Sequence, residues 1–192
     1  MKKIELVYNE ILFQVLEEEE EKKPTQKQLS KLLDISLSTV NYALKPLKDM
    51  GAIQINQRNF TIINPKKILL YWASIRNLSK DIVYKTRVNK EIFEIEKIMP
   101  ADIIFTAYSA YKFMFKDVPA DYSEVYVYAD DLKEIKKRFP QNNNIPNLFV
   151  LKKNKIAKLT IANLFVDLWN LKEWYAKEFL NKLEEKINAI LA

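Results

Sequence analysis

The stretch that decides the fold is residues 25–63, TQKQLSKLLDISLSTVNYALKPLKDMGAIQINQRNFTII. Its first half predicts two short helices joined by a tight turn. Thr25 and Gln28 have the spacing of a capping box, in which the threonine hydroxyl accepts a backbone hydrogen bond and the glutamine side chain reaches back. The residues that then recur at helical spacing, and that predict the buried face of the first helix, are Leu29, Leu32 and Leu33.

The turn and the second helix follow at Asp34-Ile35-Ser36, which interrupts the helical pattern. The apolar side chain of Ile35 is expected to be buried beneath the turn, and Ser36 is expected to cap the second helix. Pro46 is expected to kink that helix or to tighten its turn beyond Lys45. The residues predicted to face inward are Leu37, Val40, Leu44 and Leu47. The residues predicted to face outward are Ser38, Thr39, Asn41, Tyr42 and Lys45.

A β-hairpin is predicted after the second helix. Gly51 is the only glycine in the chain, and it stands just past Met50, where a helix ends in a left-handed residue that glycine adopts without strain. The segments AIQIN (52–56) and FTIIN (60–64) alternate apolar and polar residues, as half-buried strands do. Arg58 lies at the polar tip between them and makes that tip cationic.

This order of elements resembles the winged helix-turn-helix of prokaryotic transcription regulators, most clearly over LSKLLDIS-STVNYALKPLKDMGAI. In such proteins the second helix enters the major groove of double-stranded DNA with its first residues at the base edges. An asparagine there can pair with adenine, and serine or threonine can serve bases or phosphates. The predicted DNA-binding residues are Thr25, Gln26, Ser36, Ser38, Thr39, Asn41, Tyr42, Lys45 and Arg58. The alternative interpretation is a winged helix that contacts protein.

The charge distribution limits the size of a DNA-binding face. The chain has a formal net charge of +6, which permits a polyanionic partner. Basic residues outnumber acidic ones between residues 22 and 58, but the acidic run Glu17–Glu21 cancels that excess over residues 1–64. We therefore expect a local basic patch, with the acidic end of the first helix directed away from the duplex.

The composition excludes several classes of chemistry. The chain has no cysteine and no histidine, so it lacks disulfides, thiolate ligands and the commonest general base. We predict no cofactor and no metal site. No signal peptide opens the chain and no run of about 18 apolar residues occurs. These features predict a soluble, cytoplasmic protein without membrane contact.

The whole chain is predicted to be α+β, with a winged helix-turn-helix at residues 1–64, a connecting helix at 65–79 and a mixed α/β domain at 80–192. The first helix is expected at residues 3–20, and Trp72 on the connecting helix is expected to be a packing anchor. The strands of the second half are predicted at 81–88, 103–106, 124–128 and 148–151. Its helices are predicted at 90–99, 108–115, 131–138, 160–170 and 172–191.

A second resemblance covers this α/β half. The segments FTAYSAYKFMF, EVYVYADDLKEIKKRF, NLFVLKKN and TIANLFVDLWNLKEWYAKEFLNKLEEKI are similar, in that order, to the effector half of AbiEi-type antitoxins. That family joins a winged helix to a nucleotidyltransferase-like domain. Its Thr-Gly-x-Ser-Ala turn appears as Thr106–Ala110, with Ala107 in place of the glycine, and its late Asp-Leu motif appears as Asp167-Leu168. The resemblance implies a repressor of its own operon that acts as the antitoxin to a separately encoded toxin.

The residues argue against catalysis by this domain. Nucleotidyltransferases hold divalent metal with two carboxylates spaced two apart on one strand face. Here Glu124 is followed at that spacing by Tyr126, and Asp130-Asp131 are expected to cap the next helix. We therefore predict no catalytic residues and no enzyme activity. The alternatives are a nucleotidyltransferase-fold enzyme targeted by a winged helix, and an interaction module that binds a toxin.

A homodimer is expected, because one winged helix makes few base contacts.

Overall fold

The computed structural model describes residues 1–18, 25–57, 59–154 and 156–192. Its helices are α1 Lys3–Leu16, α2 Gln26–Leu32, α3 Leu37–Asp49, α4 Pro65–Ile75, α5 Ile92–Lys97, α6 Ala107–Phe115, α7 Lys133–Arg138, α8 Ile161–Trp169 and α9 Ala176–Leu191. Its strands are β1 Ile53–Ile55, β2 Phe60–Ile62, β3 Ile82–Thr86, β4 Ile104–Thr106, β5 Val125–Ala129 and β6 Leu148–Lys152, with a 3-10 helix Leu78–Asp81 before β3. The mixture of helices and strands confirms the predicted α+β class.

Side-chain caps define the starts of α2 and α3, as predicted. The hydroxyl of Thr25 accepts the N–H of Gln28 at 3.1 Å, and the side chain of Gln28 accepts the N–H of Thr25 at 2.8 Å. Ser36 caps α3 by accepting the N–H of Thr39 at 3.1 Å. Ile35 is buried beneath the turn, and its carbonyl accepts the hydroxyl of Ser30 at 2.7 Å. Local hydrogen bonds therefore fix the conformation of the turn between α2 and α3.

The α3 helix continues to Asp49 with Pro46 inside it, so the tighter turn offered as one alternative beyond Lys45 is wrong, and the kink offered as the other stays a prediction. Val40, Leu44 and Leu47 are buried along its inner side, as predicted. The helix packs on α1 and α2 through this apolar face.

Gly51 ends α3 in the left-handed conformation that was predicted, with φ at +69°. The N–H of Ala52 reaches the carbonyl of Leu47 at 2.8 Å, which closes the helix end in the usual way. Strands β1 and β2 then pair antiparallel, with Ile53 opposite Ile62. The predicted hairpin is therefore confirmed. Arg58, predicted at its tip, lies outside the described residues.

The larger sheet has the strand order β3-β6-β5-β4, with β5 parallel to β6 and both outer pairs antiparallel. Alternate residues of β5 face opposite sides of this sheet. Val125 and Val127 pack in a core with α5 and α7, whereas Tyr126 and Tyr128 join the core on the side of α6, α8 and α9. Helices therefore cover both faces of the sheet.

The winged helix shares its core with the second half of the chain. Helices α1 and α4 both pack against α8. Trp72 on α4 is fully buried and its indole N–H donates to Glu5 on α1 at 3.2 Å, which confirms its predicted packing role. The division into residues 1–64, 65–79 and 80–192 stays a prediction.

Three further expectations about α1, α2 and α3 are wrong. Leu32 is 63% exposed, because a seven-residue helix offers one buried stripe and Leu29 occupies it. Leu37 is 45% exposed, because the first residue of α3 faces a cleft beside the wing instead of the core. The first helix ends at Leu16, before residue 20. Residues 19–24, which contain part of the acidic run, lie outside the described part of the chain.

Candidate nucleic-acid interface

Three elements line two adjoining clefts on one side of the winged helix. The first cleft, of about 340 Å³, lies between the start of α2, the start of α3 and the wing. The second, of about 330 Å³, lies between the outer face of α3 and β1. Gln26 and Ile55 line both clefts, so the two form one continuous surface. The residues of the first cleft are Thr25, Gln26, Lys27, Leu37, Ile55, Asn56, Gln57 and Asn59.

The structure places four of the nine predicted DNA-binding residues in these two clefts. Thr25 and Gln26 line the first cleft, whereas Asn41 and Lys45 line the second. Tyr42 is 70% exposed on the neighbouring face of α3. Ser36, Ser38 and Thr39 lie at the start of α3, where Ser36 and Ser38 are exposed and Thr39 is half-buried. Arg58 is not among the described residues.

The three hydroxyls at the start of α3 bind one another. Ser36 Oγ lies 2.8 Å from Ser38 Oγ and 2.8 Å from Thr39 Oγ1. Each of these two hydrogen bonds uses one of the three hydroxyl protons, so a single proton is left for another acceptor. The cluster therefore fixes the start of the helix and offers fewer donors to DNA than its three side chains suggest.

Lysines supply the positive charge of this surface. Lys27 lines the first cleft, and Lys45 and Lys48 line the second. Lys67 donates to the carbonyl of Met50 at 2.9 Å and so adds a positive charge at the end of α3. Lysines grouped on one side of a small domain are suited to phosphate binding.

The described part of the acidic run faces elsewhere. Glu17 accepts the N–H of Ile161 at 2.6 Å at the start of α8, and burial raises the pKa of its carboxyl. Glu18 lines a different groove, between α1 and α2. Neither residue lines the two clefts beside α3 and the wing.

Sequence reasoning missed Lys27, Leu37 and Lys48 at this surface. Lys48 could have been found, because it lies three residues after Lys45 and therefore on the same helical face. Leu37 carried no such signal, because its apolar character and its spacing from Val40 both favoured burial.

The Thr106–Ala110 turn in the second half connects β4 to α6. Ala107 has φ at +53°, a left-handed conformation that is uncommon for a residue with a Cβ atom. The hydroxyl of Thr106 donates to the buried carboxylate of Asp167 at 2.7 Å, and Asn163 donates to the same oxygen at 3.0 Å. Tyr128 donates to it as well, so the turn, β5 and α8 meet at Asp167.

A second carboxylate does stand near Glu124, but it comes from a distant segment. The hydroxyl of Tyr126 donates to Glu173 at 2.8 Å, and that of Tyr108 donates to Glu173 at 3.1 Å. Tyr175 donates to Glu124. Burial, assisted by the charge of Glu173, raises the pKa of Glu124 to about 7.

These hydrogen bonds tie both carboxylates to tyrosine hydroxyls. Among the described residues, no group of three or more histidine, cysteine or acidic side chains could hold a metal ion. Asp131 accepts the N–H of Lys133 at 2.8 Å, but the N-cap residue of α7 is Leu132 and no side chain caps this helix, so the capping role predicted for Asp130-Asp131 is wrong. Nor does the described part of the chain contain a helix long and apolar enough to span a bilayer.

Comparison with known proteins identifies the N-terminal part of the chain. A family model of winged helix-turn-helix DNA-binding domains matches residues 10–54, which run from within α1 to within β1. Comparisons with curated proteins and with solved structures find no match. The second half therefore has no support from them for an antitoxin or a nucleotidyltransferase relationship. Residues 10–54 are therefore similar to winged helix-turn-helix DNA-binding domains, and this similarity supports a DNA-binding regulator.

Proposed function

We propose that this protein is a sequence-specific transcription regulator that occupies an operator with α3 in the major groove. The observation that carries the proposal is the convergence of the start of α2, the exposed face of α3 and the wing on one lysine-bearing surface. A recognition helix beside a wing is the arrangement by which such domains bind duplex DNA.

Within this proposal the side chains divide by task. Asn41 lies on the cleft side of α3, where an amide can pair with an adenine edge. Lys27, Lys45 and Lys48 bind phosphates and set the register of α3 on the duplex. Arg58, which the sequence predicts at the tip of the wing, adds a further contact with the DNA backbone.

The protein acts as a homodimer in this proposal. One recognition helix reads few base pairs, so a second copy is needed for an operator to be distinguished from other sequences. Two copies related by a two-fold axis read half-sites about one helical turn apart. The operator is therefore expected to be an inverted repeat.

The proposal extends to an antitoxin that represses its own operon and counters a separately encoded toxin. This part rests on the resemblance of the second half to AbiEi-type antitoxins. It is supported by Ala107, which adopts a left-handed conformation at the position where the family motif has glycine.

The second half is proposed to be a nucleotidyltransferase-like scaffold without catalytic activity. Tyr126 stands where the second metal carboxylate of such enzymes is expected, and a phenol is a poor ligand for magnesium. Incubation of the protein with labelled nucleoside triphosphates and magnesium or manganese tests this part. Transfer to RNA or protein that is lost in Glu124→Ala would contradict it.

Selection of bound duplexes from a random pool tests the regulatory function. The full chain is used, because α1 and α4 pack against α8 and the winged helix shares its core with the second half. We expect enrichment of one inverted repeat, which Asn41→Ala with Lys45→Ala abolishes. The exposed α9 variant Lys177→Ala is the control and should enrich the same repeat. A pool that stays random after repeated selection would contradict the proposal.

A further inference from the structure

Leu37 is an exposed apolar residue, and Ile55 is the other apolar residue among those that line its cleft. It is the first residue of α3, and 45% of its surface is exposed. The same cleft is lined by Thr25, Gln26, Asn56 and Gln57. Leu37 is not needed for the core beneath α3, because Val40 and Leu44 fill that side of the helix.

The neighbours of Leu37 have few hydroxyl donors available for DNA. Ser36, Ser38 and Thr39 share two hydrogen bonds among their hydroxyls, which leaves one proton for DNA. The first residues of a recognition helix are nevertheless the ones that come closest to the base edges. An apolar side chain at that position has one apolar group to contact in the major groove, the 5-methyl group of thymine.

We infer that Leu37 reads a thymine by packing against its 5-methyl group, and that it thereby sets the base preference at one position of each half-site. The inference rests on the proposed function, because it assumes that α3 enters the major groove. The contact discriminates against adenine, cytosine and guanine, which have no methyl group there, without using a hydrogen bond.

Replacement of thymine by deoxyuridine tests the inference, because uracil lacks the methyl group and keeps every hydrogen-bonding atom. The probe is the selected duplex, with each thymine replaced singly and the dissociation constant measured by fluorescence anisotropy at one salt concentration. We expect one position in each half-site at which uracil weakens binding about fourfold, the factor for one methyl group removed from apolar contact.

Protein variants assign the effect to Leu37. Leu37→Ala should bind the thymine and uracil duplexes equally well, because its side chain is too short to reach the methyl group from the same backbone position. Leu37→Met should keep the preference for thymine, because its side chain is apolar and about as long as that of leucine. Leu32→Ala is the matched control: Leu32 is 63% exposed but lines a groove against α1. It should keep the fourfold difference. Equal thermal unfolding of the variants is expected, because both leucines are exposed.

The outcomes separate this inference from the proposed function. If the protein selects a sequence but uracil is neutral at every thymine, the inference is overturned and the regulatory function stands. Retention of the fourfold difference in Leu37→Ala, or its loss in Leu37→Met, overturns it too. If no sequence is selected, the proposed function fails and the inference fails with it.

Discussion

Arg76 and Asp167 form an ion pair in the interior, with Arg76 Nε 3.5 Å from Asp167 Oδ1 and side-chain exposures of 1% and 0%. Arg76 follows α4, and Asp167 lies on α8, so the pair joins the connecting helix to the second half. Arg76 also contacts Glu5 on α1 at 3.2 Å. One guanidinium therefore contacts carboxylates of both the winged helix and the α/β half.

Arg76→Met is expected to destabilise the protein by about 3–5 kcal/mol, because removal of one partner leaves buried carboxylates without their counter-charge. Urea unfolding measures the change. Arg138→Met is the control: Arg138 forms an exposed pair with Glu134 at 3.7 Å and donates to the carbonyl of Ile98 at 2.8 Å, and the loss of these exposed contacts should cost about 1–2 kcal/mol. Equal losses in the two variants would show that the buried pair holds nothing together.

The raised pKa of Glu124 is expected to make the free energy of unfolding depend on pH. Its pKa is raised from 4.5 to about 7 in the folded protein, first by burial and then by Glu173. An acid whose pKa rises on folding stabilises the fold below its unfolded pKa, and this contribution is lost as pH rises through the folded value. The free energy of unfolding should therefore fall between pH 4.5 and 7 relative to that of Glu124→Gln, measured by urea titration. Parallel curves for the two proteins would rule out the raised pKa.

Ala107→Gly is expected to leave stability unchanged or to raise it. Glycine adopts the left-handed φ of +53° without the strain of about 1–2 kcal/mol that a Cβ atom causes, and this relief offsets both the entropy that glycine loses and the buried methyl group that the substitution removes. Thermal unfolding compares it with Ala73→Gly, a buried helical position that should lose about 1 kcal/mol. A similar loss at both positions would mean that position 107 has no preference for glycine.

Asn41→Ala and Lys48→Ala should affect DNA binding in different ways. A lost amide–adenine pair costs about 1–3 kcal/mol at one base position and relaxes the preference there. A lost phosphate contact weakens all sequences alike and lowers the salt slope by about one. Competition binding against single-base variants of the operator, at several salt concentrations, measures both. Uniform weakening by both variants would show that Asn41 does not face a base.

The predictions from the sequence were most accurate for features that depend on residues close together in the chain. The capping pair of Thr25 with Gln28, the cap at Ser36 and the left-handed Gly51 each arise within a few residues, so spacing was enough to identify them. Exposure of Leu37 depends on where the wing lies, which spacing does not encode. The bond from Tyr126 to Glu173 joins residues 47 apart in the chain, and such pairs become visible only when strand and helix are packed.

The claim that this protein binds DNA sequence-specifically is tested most directly by comparing the affinity of the full chain for its operator with its affinity for unrelated DNA. The dissociation constant is measured for the selected operator and for a scrambled duplex of equal length and composition, at one salt concentration. A sequence-specific regulator should bind its operator at least about 1,000-fold more tightly than the scrambled duplex. Equal affinities would contradict the account, because they would show that the surface formed by α2, α3 and the wing recognises phosphates alone.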